Sequence, residues 1–141
     1  MATTASRKDY SGTPLPKKLG IRESSRVLLV GAPEGFALGD LPAGAEVVGR
    51  SGGQLHVVVL FATRRSDLEG RFRPLAKLLD PAGRLWVAWP KRAAKMDTDL
   101  TFDVVQRVGL DAGLVDNKSA SIDQAFQGLQ FVYRLTDRPA R

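Results

Sequence analysis

Gly31 and Gly35 bracket Ala32, Pro33 and Glu34 directly after the apolar run Arg26–Val30. A methyl donor or dinucleotide needs glycines after a first buried strand, so that backbone can approach the ligand closely. Pro33 lacks an amide hydrogen and fixes φ, so this loop offers fewer backbone donors than a phosphate cradle does. It reads first as a turn. A ribose also needs a carboxylate at the end of the second strand, and the candidate position here is Arg50, which only donates hydrogen bonds. After the central strand, Phe61, Ala62, Thr63 and Arg64 carry no asparagine-proline-aromatic acceptor motif of the base-methylating kind. The residues assign no catalytic role and no cofactor.

Other reactive types stand alone. His56 is the single histidine and there is no cysteine, which excludes thiolate nucleophiles, disulfides and cysteine metal sites. Asp97, Asp99, Asp116 and Asp123 are explained as well by caps and turns as by acid–base work. Ser66 opens a capping-box pattern, Ser66-Asp67-Leu68-Glu69, and has no base placed for it. One constellation remains. In open α/β sheets, ligands bind beyond the carboxyl ends of the strands. Segments 31–35, 63–65 and 90–95 all leave strands at that end. They bring Gly31, Glu34, Gly35, Thr63, Arg64, Arg65, Trp89, Lys91, Arg92 and Lys95 to a common rim. Clustered arginine and lysine beside an aromatic suits an anionic ligand bearing a phosphate or carboxylate. A solvated rim is the competing explanation. Trp86 and Trp89 are three positions apart, so on a regular strand they face opposite sides.

These residues need a sheet to hold them. Pro14 and Pro16 set an extended approach to the segment 17–21. Arg26–Val30 and Leu55–Phe61 are continuous apolar runs, as in strands buried on both faces. Residues 34–41 suit a short helix stopped by Pro42, and 45–49 a weak strand. Leu68, Phe72, Leu75 and Leu79 form one helical stripe, with Pro74 inside it to kink or break the helix. Residues 80–83 read as a turn and 84–89 as a further buried strand. A helix over 98–112 turns Leu100, Val104, Val105 and Val108 inward, and Gly113 stops it. The alternation of Leu129, Phe131, Tyr133 and Leu135 marks a half-buried strand, paired with 114–120 across a long connection. The order predicts a small Rossmann-like three-layer α/β domain, its mostly parallel sheet closed by a C-terminal antiparallel hairpin. Only about five residues, 50–54, join the weak strand to the strong one, and a parallel crossover needs about a dozen or more. The weak strand is therefore expected to be absent, or antiparallel to its neighbour.

The chain has 141 residues, 43% hydrophobic and 26% charged, which is room for one domain with a real core. The expected layout is a flexible tail over 1–13, a single domain over 14–137 and a short tail over 138–141. The longest apolar run, 57–62, is far short of the ~20 residues of a membrane helix, and the polar N-terminus lacks a signal core. A cytoplasmic protein without membrane attachment is expected. The net charge of +6 permits phosphate or nucleic-acid binding by Coulomb attraction without specifying it.

Several segments resemble the bacterial DUF3052 family, which carries no assigned activity. They are Ser11-Gly12-Thr13-Pro14-Leu15, Lys18-Leu19-Gly20-Ile21 and Ala32-Pro33-Glu34-Gly35-Phe36. Further on come Trp86-Val87-Ala88-Trp89-Pro90-Lys91, Gly113-Leu114-Val115-Asp116-Asn117-Lys118 and Ile122-Asp123. Phe126 stands where the resemblance implies a tryptophan. The element order is also similar to a pared-down class I methyltransferase, which implies architecture alone. The leading expectation is a non-catalytic or catalytically degenerate domain that binds a small anionic ligand or a protein partner at the strand-end rim. The alternatives are an S-adenosylmethionine-dependent methyltransferase-like enzyme and a nucleic-acid-associated basic protein.

Overall fold

The computed structural model describes residues 13–49 and 54–135. Arg50 and the expected tails, apart from Thr13, lie outside the described residues. The elements run α1 (Leu15–Leu19), β1 (Arg26–Val30), β2 (Glu46–Val47), β3 (Leu55–Phe61), α2 (Arg65–Lys77) and β4 (Leu79–Pro90). A 3₁₀ turn (Arg92–Ala94), α3 (Phe102–Asp111), β5 (Leu114–Ser121) and β6 (Phe126–Tyr133) follow. The strands form one sheet of order β2-β1-β3-β4-β6-β5. β2, β1, β3 and β4 are parallel, and β6 is antiparallel to both β4 and β5. The α/β sheet with its closing hairpin is as expected.

Its two faces are unequally covered. α2 and α3 lie over one face and bury Leu68, Phe72, Leu75, Val105 and Val108 against Val58, Leu60, Leu85, Val87 and Phe131. The other face is thinner. There Leu19 of α1 with Ile21, Leu38 of the long β1–β2 connection, and Ile122 with Phe126 at the hairpin turn cover Val27, Val57, Val59 and Trp86. Trp86 and Trp89 fall into these two separate cores, as their spacing requires.

The approach expected to be extended holds α1 instead. Pro16 falls in the first helical turn, where its missing N–H costs nothing. Gly20 at φ 81 closes the helix, and the N–H groups of Gly20 and Ile21 return to the carbonyls of Lys17 and Pro16 at 3.1 and 2.9 Å. The weak strand is present and parallel to β1, contrary to expectation. It is two residues long and pairs with Arg26 and Val27, the level at which Val57 of β3 also pairs, so little sheet remains to be recrossed before β3. No helix forms over 34–41, where Gly35 and Gly39 adopt φ of 83° and 88°.

α2 continues through Pro74 without a break, and Ser66 is not its cap. Arg64 holds the cap position, and the Asp99 carboxylate accepts the Arg65 N–H at 2.7 Å from across the chain. The expected turn at 80–83 is a bulge inside β4, where these four residues oppose the single His56 of β3 between the pairs Leu55–Leu79 and Val57–Arg84. The hairpin connection is short, only residues 122–125. Asp123 accepts the N–H groups of Ala125 and Phe126, both at 2.8 Å, which closes the turn. β6 is an interior strand rather than a half-buried one, so Gln130 is buried and donates to Asn117 at 2.8 Å. Among the described residues no helix is long and apolar enough to cross a membrane.

Candidate functional site

The strand order defines where a crevice belongs. The chain leaves β1 toward β2 on one side, and leaves β3 toward β4 on the other. Open sheets bind ligands beyond the strand ends at such a switch point. Gly31 follows β1 there at φ 71, and a Cβ on it would fall 2.9 Å from the Phe61 carbonyl oxygen at the end of β3. Only glycine lets the two strand ends close up this tightly. The loop then turns back, with the Phe36 N–H donating to the Pro33 carbonyl at 3.0 Å. This brings the Phe36 ring edge-on to Phe61 at 4.9 Å, and Phe61 meets Phe126 of the hairpin at 5.3 Å. Glu34 and Gly35 are exposed on the outside of the loop.

The basic rim is divided by its partners. Beyond β3, the Thr63 carbonyl accepts the Thr98 hydroxyl at 2.6 Å. Arg64 forms an ion pair with Asp97, and Arg65 one with Glu69 at 3.0 Å. Beyond β4, Trp89 is 2% exposed and packs beneath α3 rather than facing the rim. Lys91 turns to the hairpin: its N–H donates to the Ala125 carbonyl at 2.8 Å and its ammonium to the Ser121 hydroxyl at 2.7 Å. Arg92 and Lys95 are exposed at the two ends of the 3₁₀ turn, where Lys95 takes φ 54. Thr63 and Arg64 are thus joined to residues 97–99, whereas Lys91 joins the hairpin. Trp89, Lys91 and Arg92 do border one shallow cleft with Phe102 and Gln127, open on the α3 side.

His56 is taken up structurally, its Nδ1 accepting the Arg26 N–H at 2.9 Å across β3 and β1. Asp99 and Asp123 are spent on a helix start and a turn, as described above. Asp116 accepts from Gln106 at 3.2 Å. Two features lay outside the sequence reading. One is the Phe36–Phe61–Phe126 chain, drawn from three elements. The other is a cleft of about 1040 Å³ between α1 and the hairpin, bordered by Lys17, Lys18, Lys91 and Lys118. Lys17 and Lys18 were visible as a basic pair, but nothing local links them to Lys118, a hundred positions on.

No protein-family model matches the chain and no curated protein matches it, so the DUF3052 resemblance rests on the sequence segments alone. Among solved structures it is similar to an O-methyltransferase of neocarzinostatin biosynthesis, in complex with S-adenosylmethionine. That match has 13% identity and a TM-score of 0.59, over 90% of this chain and 54% of the other. It is similar also to the pre-rRNA processing protein fibrillarin of Methanococcus jannaschii, at 11% identity, TM-score 0.57, over 80% and 68% of the two chains. A third is an S-adenosylmethionine-dependent methyltransferase from Aquifex aeolicus, at 16% identity, TM-score 0.51, over 82% and 85%. The chain spans about half the length of several structures it matches, 52%, 54% and 50% in three cases. At such identities the likeness is one of fold. The chain has the Rossmann-like fold of the methyltransferases.

Proposed function

We propose that this domain is a catalytically degenerate binding module, which takes an anionic ligand or an acidic group of a partner at the strand-end rim through Lys91 and Arg92. The observation that carries the reading is Phe36 folded onto Phe61 at the switch point. A nucleoside at that crevice needs open space and amide donors. Here an aromatic ring covers the end of β3, Pro33 brings no N–H, and the tight contact at Gly31 leaves no gap between β1 and β3. These residues do not suit a methyl donor. Lys91 and Arg92, by contrast, have no carboxylate partner among the described residues and border an open cleft.

Isothermal calorimetry tests the reading in two arms. S-Adenosylmethionine is expected to give no saturable heat at micromolar protein, while inorganic phosphate or citrate does at higher concentration. The charge reversals Lys91→Glu and Arg92→Glu are expected to weaken that anion binding about tenfold each, a loss of one charged hydrogen bond. Unchanged anion affinity in both variants overturns the rim site. A second reading is favoured by the fold, since the solved structures it resembles include methyltransferases. Micromolar binding of S-adenosylmethionine would establish it in place of the first.

A further inference from the structure

The cleft between α1 and the hairpin gathers lysines that form no ion pair among the described residues. Lys18 donates from Nζ to the Ser121 carbonyl oxygen at 3.4 Å, and Lys91 from Nζ to the Ser121 hydroxyl at 2.7 Å. Two ammonium groups thus meet at one residue. Lys118 reaches across from β5 to the Lys18 carbonyl at 2.8 Å, with its ammonium 5.9 Å from the centre of the Trp86 ring. Lys17, one position before, is exposed on the same cleft. Among the described residues none of the four forms an ion pair. Among the described residues, arginines such as Arg64, Arg65, Arg71 and Arg107 do form ion pairs elsewhere on the surface.

Like charges brought together repel unless an anion is placed among them. Among the described residues the one carboxylate bordering the cleft is Asp123, whose Oδ1 is held by two backbone N–H groups of the hairpin turn. Four lysines against that single acid leave a local charge of about +3. Each ammonium has three donors, and Lys18, Lys91 and Lys118 each spend one on a neutral protein oxygen. Donors are therefore left over on lysines that border one cleft.

We infer that this cleft is a binding site for a compact phosphate-bearing ligand, of the charge of a pyrophosphate or diphosphate ester, held by Lys17, Lys18, Lys91 and Lys118. Two observations separate such a ligand from a nucleic acid strand. Two of the charges, Lys18 and Lys91, meet at Ser121, and Lys118 reaches back to Lys18, so the lysines cluster instead of tracking along a groove. Trp86, the aromatic beneath Lys118, is fully buried and does not line the cleft, so it offers no face on which bases could stack. Lys91 belongs also to the strand-end rim, but Lys17, Lys18 and Lys118 do not, so the two sites can be separated.

The test is a titration of the intact chain with inorganic pyrophosphate, read by calorimetry and by thermal unfolding at constant ionic strength. Saturable binding is expected, with a rise in Tm that sulfate at equal ionic strength does not reproduce. Lys17→Gln removes a charge without removing a protein hydrogen bond and is expected to weaken binding about threefold to tenfold. Lys18→Gln with Lys118→Gln is expected to weaken it at least a hundredfold, and Arg71→Gln, on α2 and outside both clefts, to leave it unchanged. Circular dichroism on the double variant checks that α1 still docks, and Lys17→Gln decides alone if it does not. Absence of saturation at millimolar pyrophosphate overturns the inference, as does equal affinity in Lys17→Gln and the parent. A short single-stranded oligonucleotide that competes at lower concentration than pyrophosphate overturns it in favour of nucleic acid. Loss of binding in Arg92→Glu with none in the lysine variants would return the anion to the rim and leave the cleft empty of function.

Discussion

Tyr133 ends β6 with its hydroxyl donating to the Ala76 carbonyl of α2 at 2.6 Å, and burial pushes its pKa above the ordinary 10.0. The phenolate is disfavoured in the folded state alone. The contact therefore contributes stability that is complete below about pH 10 and is lost as pH climbs through the raised value. Tyr133→Phe is expected to cost about 1 kcal/mol at neutral pH and to flatten the alkaline fall. Urea unfolding at neutral and strongly alkaline pH reads both effects, and an unchanged alkaline slope would release Tyr133 from this role. A second residue was hidden from sequence reasoning by distance. Asp99 supplies the cap that the Ser66 pattern promised, because the connection after β4 folds back over the end of β3 and sets its carboxylate at the Arg65 N–H. Asp99→Ala is expected to lower stability by about 1 kcal/mol and Ser66→Ala by a few tenths at most. Denaturant midpoints giving the opposite order would restore Ser66 as the cap.

Elements whose pattern is local were readable: β3 matches its apolar run, and α3 stops before Gly113, at φ 94, although it begins at Phe102 rather than at 98 and leaves Leu100 in the preceding loop. What escaped depends on pairing. β2 is parallel because its two residues meet only the beginning of β1, a length that no hydrophobic run encodes. Gln130 is inside because β6 is covered by strands on both sides. Gly109 shows how such contacts govern a substitution. Alanine for glycine within a helix ordinarily gains about 1 kcal/mol. Here a Cβ would stand 2.0 Å from the Phe131 ring, which is fully buried and set edge-on to Phe72 at 5.2 Å. Neither ring has room to give. Gly109→Ala is therefore expected to destabilise by about 1–3 kcal/mol, measured as a lower denaturant midpoint. A rise in that midpoint would mean that α3 slides on β6 at little cost.

Across the whole molecule, the sheet divides a thick layer from a thin one, and this asymmetry follows from which crossovers kept their helices. α2 and α3 follow β3 and β4 on one face, whereas the β1–β2 connection on the other has no helix among its residues. α1 covers that face with five residues, too few to be stable by themselves. It is held by Leu19, by the Trp86 indole N–H donating to the Leu19 carbonyl at 3.0 Å, and by Lys118 reaching the Lys18 carbonyl. The sequence placed the rim segments at one end of the sheet because they leave neighbouring parallel strands, but it did not foresee that Arg64 would turn to Asp97 and Lys91 to the hairpin. It did not disclose the lysine cleft, which exists only where α1 is laid against the hairpin. The thin layer should open first. In native-state hydrogen exchange, amides of Leu19 and Gly20 and of residues 31–45 are expected to exchange by local opening, well before those of Val58, Leu60, Val87 and Leu129, which report global unfolding. Pyrophosphate seated among the lysines would tie α1 to β5, slowing exchange at α1 while leaving the β3 amides unchanged. Equal protection of α1 and β3 without any anion would show the two faces to be one cooperative unit, and the docking of α1 to be independent of charge in the cleft.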